Sequence, residues 1–267
     1  MVVGKAQRRD PHIKTTSFIY VSWRDVVLEL ELQSPCPLTG WSGSVTYRIL
    51  MELIRQEAEP KGRIFAHPLY SGGRPVLSGV DGKAAVLEPK TRVQLRAVMT
   101  EQDLYYLLKA APKAKPTSPP CPTTPTAIQF APLEAKLGEG HGFALVELSF
   151  YPTAFMFHGR DVLYPSPQRL AYSLAKTYWE LFGVNLKHLA DRAPTALEVV
   201  GMRIKRVGVN IGDMRVVPAF MGKAKLAIYG NVEAWLSLLK LGEAVGVGIS
   251  RAIGFGKYKI EQVQTNA

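Results

Sequence analysis

The sequence predicts an α+β fold built from two similar units in tandem, and three observations carry that reading. The chain has 267 residues, about two domains' worth at roughly 150 residues each. Its composition, 47% hydrophobic and 21% charged, is that of a globular chain and excludes global disorder. Each half can be read as strand, helix, two strands, helix, strand.

In the first unit, residues 17–32 alternate as a strand, with Val27, Leu28, Leu30 and Leu32 apolar and Glu29 and Glu31 between them. A loop rich in proline and glycine follows, and Ser42 or Ser44 is placed to cap the next helix. Over residues 45–58, Val45, Ile49, Leu50, Leu53 and Ile54 recur at helical spacing, and Pro60 and Gly62 end the run. Strands are expected around residues 75–77 and 92–99. Thr100 with Asp103 makes a box-like start to a helix reaching Lys109, and residues 126–137 close the unit. Between that helix and strand, residues 111–125 hold six prolines, which excludes helix or central strand and predicts an exposed, extended loop.

The second unit opens with a strand over residues 143–157. Ser166 and Pro167 start a helix as N-cap and first helical residue, and Gly183 ends it. Residues 196–209 and 214–229 read as a hairpin, and Asn231 caps a helix over 232–241. A glycine-rich stretch, 242–256, then leads to a last strand over 257–263. Strand–helix–strand–strand–helix–strand is the split βαβ order, so two tandem ferredoxin-like (βαββαβ) domains are expected, over residues 1–139 and 140–267.

Thirty-three Lys and Arg stand against 22 Asp and Glu, a net charge of +11, which favours a polyanionic partner. Arg203 and Lys205, and again Lys223 and Lys225, fall at i and i+2. In a strand that spacing puts them on one face with apolar residues on the other. Such a sheet is suited to RNA, although any solvated antiparallel sheet shares the pattern. The two cysteines, Cys36 and Cys121, lie far apart and form no metal-ligand spacing. Neither a zinc site nor a disulfide framework is signalled, and a reducing cytoplasm is the expected setting. No apolar run reaches the length of a membrane span. Residues 141–148, His-Gly-Phe-Ala-Leu-Val-Glu-Leu, partly match the RNP1 pattern that stacks RNA bases on a sheet. Leucines replace two of its aromatics, so Phe143 and its neighbours are expected in the core.

The stretch 242–259 holds Gly242, Gly246, Gly248, Gly254 and Gly256 between a helix and a strand. Its spacing fits neither a Walker loop nor a dinucleotide fingerprint. A helix, then Gly-Val-Gly and Gly-Phe-Gly, then a final strand, resembles the signature loop of the RAMP superfamily of CRISPR-associated proteins. Residues 149–155, Ser-Phe-Tyr-Pro-Thr-Ala-Phe, then Leu163-Tyr164-Pro165 and a helix bearing Leu174 and Trp179, resemble a block of one branch, the endoribonuclease that cuts precursor CRISPR RNA within its repeats. In the first unit, Arg74 to Ser78 is similar to that family's Lys-Pro-Phe-Thr-Phe-Ser strand.

The resemblance implies RNA cleavage without metal or other cofactor, in which the 2′-OH attacks the adjacent phosphate. It leaves a 2′,3′-cyclic phosphate and a 5′-hydroxyl. CRISPR repeat RNA would be the partner, and membership of a CRISPR effector complex and a homodimer are both open. A non-catalytic RAMP subunit holding guide RNA is the alternative. In the family a histidine commonly follows the first helix, shortly before that strand. His67 stands there, as general acid or base, with Arg74 as phosphate stabiliser; a plain loop histidine beside Pro68 is the competing reading. Tyr47 is the nearest candidate for the tyrosine some relatives add, and its helical position also suits packing. RNA contacts are expected at Arg203, Lys205, Lys223 and Lys225, and at Gly246, Gly248, Ser250, Arg251, Gly254, Gly256 and Lys257, whose backbone amides would meet phosphate oxygens.

Overall fold

The computed structural model describes residues 22–113, 121–212 and 215–266. The beginning of the first expected strand and most of the proline-rich loop lie outside them. In the first unit β1 (Trp23–Leu32) leads through the short β2 (Cys36–Leu38) to α1 (Ser42–Arg55). Three short pieces follow, β3 (Phe65–Ala66), β4 (Tyr70–Ser71) and β5 (Arg74–Pro75), then β6 (Ala85–Leu87), β7 (Arg92–Thr100), α2 (Glu101–Ala110) and β8 (Thr123–Pro132). The sheet runs β5-β4-β7-β1-β8, with β3 also on β7.

The second unit comprises β9 (His141–Thr153), a small hairpin of β10 (Phe155–Phe157) and β11 (Arg160–Val162), α3 (Pro167–Phe182), the short α4 (Lys187–Asp191) and α5 (Ala193–Ala196), β12 (Leu197–Asn210), β13 (Val216–Asn231), α6 (Val232–Val245) and β14 (Tyr258–Asn266). Its sheet runs β12-β13-β9-β14. Both sheets are antiparallel and place the second, third, first and fourth strands side by side, so the fold is two ferredoxin-like units in tandem.

Period-two patterning builds each sheet. Val26, Leu28, Leu30 and Leu32 of β1 are buried with Val93, Leu95 and Ala97 of β7 beneath α1 and α2. Ala144, Val146, Leu148 and Phe150 of β9 pack with Ala224, Leu226 and Ile228 of β13 beneath α3 and α6. The opposite face of the second sheet exposes Arg203, Lys223 and Tyr229, whereas on that of the first sheet Val98 is buried against the second unit. Three expected caps form: Thr100 Oγ1 accepts from Asp103 N at 3.1 Å, Ser166 Oγ from Arg169 N at 3.4 Å, and Asn231 Oδ1 from Ala234 N at 3.1 Å.

Several expectations are corrected. Trp41 occupies the N-cap of α1 with no side-chain cap bond, and the Ser42 hydroxyl instead donates to the Val76 carbonyl. Strand pairing beside β7 is made by Tyr70–Ser71 rather than around residue 77. Pro68 and Pro75 lack the N–H a continuous strand would use, which cuts this stretch into two-residue pieces. Cys36 and Cys121, expected as unpaired, are joined by a disulfide across a sequence separation of 85. Distance in sequence hid a pair that β2 and the start of β8 bring to a Cα–Cα distance of 5.1 Å.

The two units share a packed seam. Phe65 and Val98 of the first unit lie in the core of the second. Trp41 and Val80 form a separate cluster with Val207, Val209, Ala219 and Phe255. The tip of the β12–β13 hairpin reaches the first unit through a Val80–Val209 bridge and through Trp41 N to Asn210 O and Asp81 N to Gly208 O, each 2.7 Å.

Candidate active site

A helix end organises the cleft between the units. The last carbonyls of α6 have no partner within the helix and carry the negative end of its dipole, so they collect donors. Ala244 O, in that last turn, accepts from the buried Lys257 Nζ at 2.5 Å and lies 2.8 Å from His67 Nε2. Because a carbonyl only accepts, His67 carries its proton on Nε2 in this bond, and when the ring is neutral Nδ1 holds the lone pair. The backbone of His67 is fixed as well, its N–H donating to Arg96 O at 2.8 Å.

Burial of the ring and the nearby Lys257 ammonium pull the pKa of His67 well below histidine's usual value, against the bond to Ala244. The imidazole is therefore neutral at physiological pH. Lys257, 1% exposed, has its own pKa pulled well down by burial, with Asp25 as the opposing negative charge.

The cleft is an open cavity of about 560 Å³ walled by both units, and His67, Tyr70, Arg74 and Arg96 meet Tyr151, Lys240 and Lys259 across it. Arg74, on β5, is exposed. Arg96 stacks its guanidinium over the Tyr70 ring at 4.4 Å and donates to Gln94 Oε1 at 2.7 Å. Its Nε is buried without a hydrogen-bond partner. Tyr70 donates its hydroxyl to Tyr151, and burial above all raises the pKa of both phenols, which stay protonated. A neutral imidazole with a free lone pair, beside two arginines and two phenols, is equipped to take a proton and to stabilise an anion.

Of the residues singled out in the sequence, His67 and Arg74 are brought together on this cleft. Tyr47 is not. It packs against the first unit's core, on the outer side of α1 beside Arg48 and Met51. Arg203, Lys205 and Lys223 are exposed and Lys225 is half-buried. The pairs Arg203–Lys223 and Lys223–Ser149 place Arg203 and Lys223 on the open face of the second sheet, opposite the Ala224 and Leu226 of the core. Lys223 also binds Glu147 Oε1 at 2.6 Å.

The glycine-rich loop departs from expectation. Its amides are spent inside the protein: Val247 N binds Gly256 O at 2.9 Å, Ile249 N binds Ala154 O at 3.0 Å, Gly256 N binds Pro152 O at 2.9 Å and Gly248 N binds Ser173 Oγ at 2.8 Å. Two glycines are required by close backbone approach. A Cβ on Gly256 would sit 1.7 Å from Val247 O, and one on Gly248 would sit 2.2 Å from Ala154 O, both at positive φ. Gly246, Gly254 and Gly256 are buried, Gly248 is half-buried, and Ser250 is the exposed exception among the loop residues named.

Arg251 and Lys257, expected on RNA, point inward instead. Arg251 is 8% exposed, bonded to the Thr177 hydroxyl and to Glu180 Oε2, and packed 5.1 Å from the centre of the Phe65 ring. It fastens the loop to both units. Lys257 sits behind His67 rather than on the surface. Phe143 is corrected in the other direction: it is half-buried on the open face, while its neighbours Ala144, Val146 and Leu148 form the core.

Sequence reasoning missed Arg96, Tyr70, Tyr151 and the backbone of Ala244. Tyr151 and Ala244 lay in stretches already marked by their motifs. The rest become visible when β7 and the α6 terminus meet. Among the described residues no group of three or more His, Cys, Asp or Glu could hold a metal ion, and no helix is long and apolar enough to cross a membrane.

Residues 148–258 match the family described as CRISPR-associated endoribonuclease Cas6, so the resemblance found in the sequence of the second unit is borne out. No curated protein matches the chain. Among solved structures, the product complex of Cas6 (TTHB231), a Thermus thermophilus protein, has 20% identity and a TM-score of 0.63, over 88% of this chain and 98% of that one. The product complex of Cas6 (TTHA0078) has 16% identity and a TM-score of 0.62, over 90% of this chain and 100% of that one. A Cas6-related protein from Pyrococcus furiosus has 15% identity and a TM-score of 0.55, over 90% and 100%. These similarities extend the shared fold to the first unit.

Proposed function

From the match of residues 148–258 to the Cas6 endoribonuclease family, we propose that this chain is an endoribonuclease that cuts precursor CRISPR RNA within its repeats, in the cleft between its two units. The observation that carries the proposal is the meeting of a neutral His67 with Arg74 and Arg96 on one open wall.

In this reading, His67 Nδ1 takes the proton of the 2′-OH as that oxygen attacks phosphorus in line with the P–O5′ bond. That bond breaks and the 5′-oxygen leaves as a hydroxyl, its proton supplied by water in the open cleft. The 3′-fragment thus begins with a 5′-hydroxyl, and the other ends in a 2′,3′-cyclic phosphate. Arg74 and the guanidinium of Arg96 hold the added negative charge of the phosphorane, and the protonated phenol of Tyr151, itself held by Tyr70, adds a donor. RNA reaches the cleft across the open face of the second sheet, where Arg203, Lys205, Lys223 and Lys225 neutralise phosphates. The buried glycine loop serves as the joint that holds the cleft walls, with Ser250 at its surface.

Repeat-containing RNA incubated with the protein in excess EDTA tests this directly. One cut per repeat, with a cyclic phosphate and a 5′-hydroxyl at the new ends, is expected. Binding without any cut would assign the chain to guide-RNA holding instead, and a cut abolished by EDTA would overturn the mechanism.

A further inference from the structure

Of the partial RNP1 match at residues 141–148, Ala144, Val146 and Leu148 belong to the core, but Phe143 belongs neither to the core nor to the cleft. Phe143 stands directly opposite Tyr229 across β9 and β13. The two rings are tilted at 48° with centroids 5.4 Å apart, and Tyr229 is 42% exposed. Cross-strand aromatic pairs do stabilise sheets, but this pair lies on the open face, outside either core.

Its surroundings are those of a polyanion track. Following β9 from Phe143 by twos gives Leu145, Glu147, Ser149 and Tyr151. Lys225 lies opposite Glu147, while Lys223 and Lys259 flank Ser149. Arg203 extends the same row from β12. The row ends at Tyr151 and Lys259, which wall the cleft. Phe143 is eight residues from Tyr151 along this strand, roughly 27 Å at about 3.4 Å per residue. An aromatic pair at one end, cations between and the cleft at the other fit a single strand of nucleic acid, with bases over the rings and phosphates over the ammonium groups.

We infer that Phe143 and Tyr229 form a stacking platform for an unpaired RNA base several nucleotides from the scissile phosphate. This rests on the cleft acting on RNA, but its test does not need cleavage. Stacking on an aromatic is tolerant of sequence, so a fluorescent ten-nucleotide oligouridylate serves as the probe, compared with the same backbone lacking its central bases. Wild type is expected to bind the base-bearing strand at least about five-fold more tightly. Tyr229→Leu keeps an apolar partner for Phe143 and removes one ring face, and should reduce that preference to near unity with an unchanged melting temperature. Tyr229→Trp should restore it.

No preference in wild type, or a preference that survives Tyr229→Leu, would overturn the platform. Either result leaves cleavage of repeat RNA untouched. Conversely, failure to cut repeats would leave the oligouridylate result standing.

Discussion

At the scale of single residues, the proposed chemistry depends on the charge state of His67. Its pKa is lowered by burial and by Lys257, so the unprotonated base is the resident form at neutral pH. A base acts only when neutral, so the rate falls as pH drops through this lowered pKa. The acidic limb of the pH–rate profile should therefore lie below the ordinary histidine value of about 6.5. Lys257→Met removes the cation that depresses the pKa and should move that limb upward. A wild-type limb above the ordinary value, or one unmoved by Lys257→Met, would contradict the assignment. The sequence singled out His67 and Arg74, both shortly after α1, which the structure brings to one cleft. It could not show that Lys257, 190 residues away, lies behind His67, since only the packing of β14 against β9 and α6 brings them together.

Among the elements, the glycine-rich loop shows how one motif supports two physical readings. Exposed amides waiting for phosphate and buried amides satisfied by neighbouring carbonyls both require glycine, so the sequence alone does not separate them. The structure favours the second, because a Cβ on Gly256 would overlap Val247 O while the residue sits at φ +72°. Gly256→Ala should cost about 2 kcal/mol or more, seen as a melting temperature lower by at least about 4 °C. Gly72→Ala, at φ +55° but with open space around it, carries only the backbone cost of about 1 kcal/mol. Equal, small losses at both sites would show the loop to be loosely packed. Regular alternation made β1, β9, β12 and β13 legible from sequence, and caps at Thr100, Ser166 and Asn231 fixed three helix starts. The second strand of the first unit was misplaced because prolines fragment it. The strand expected over 143–157 breaks at Ala154 into β9 and β10, because β10 turns away to pair with β11.

Across the whole molecule, the proposed site draws on both units. The first supplies His67, Arg74 and Arg96, and the second supplies the helix end that orients His67 and the open, cationic sheet. Tandem organisation and net charge were readable from composition and patterning; the relative placement of the units, set by Phe65, Val98, Arg251 and the reach of the β12–β13 hairpin, was not. The most direct measurement compares wild type and His67→Ala for both affinity and cleavage rate on one repeat RNA in EDTA. Affinity within about two-fold, with cleavage slowed at least about 100-fold, is the expected pair of results. An unchanged cleavage rate in His67→Ala would contradict the account.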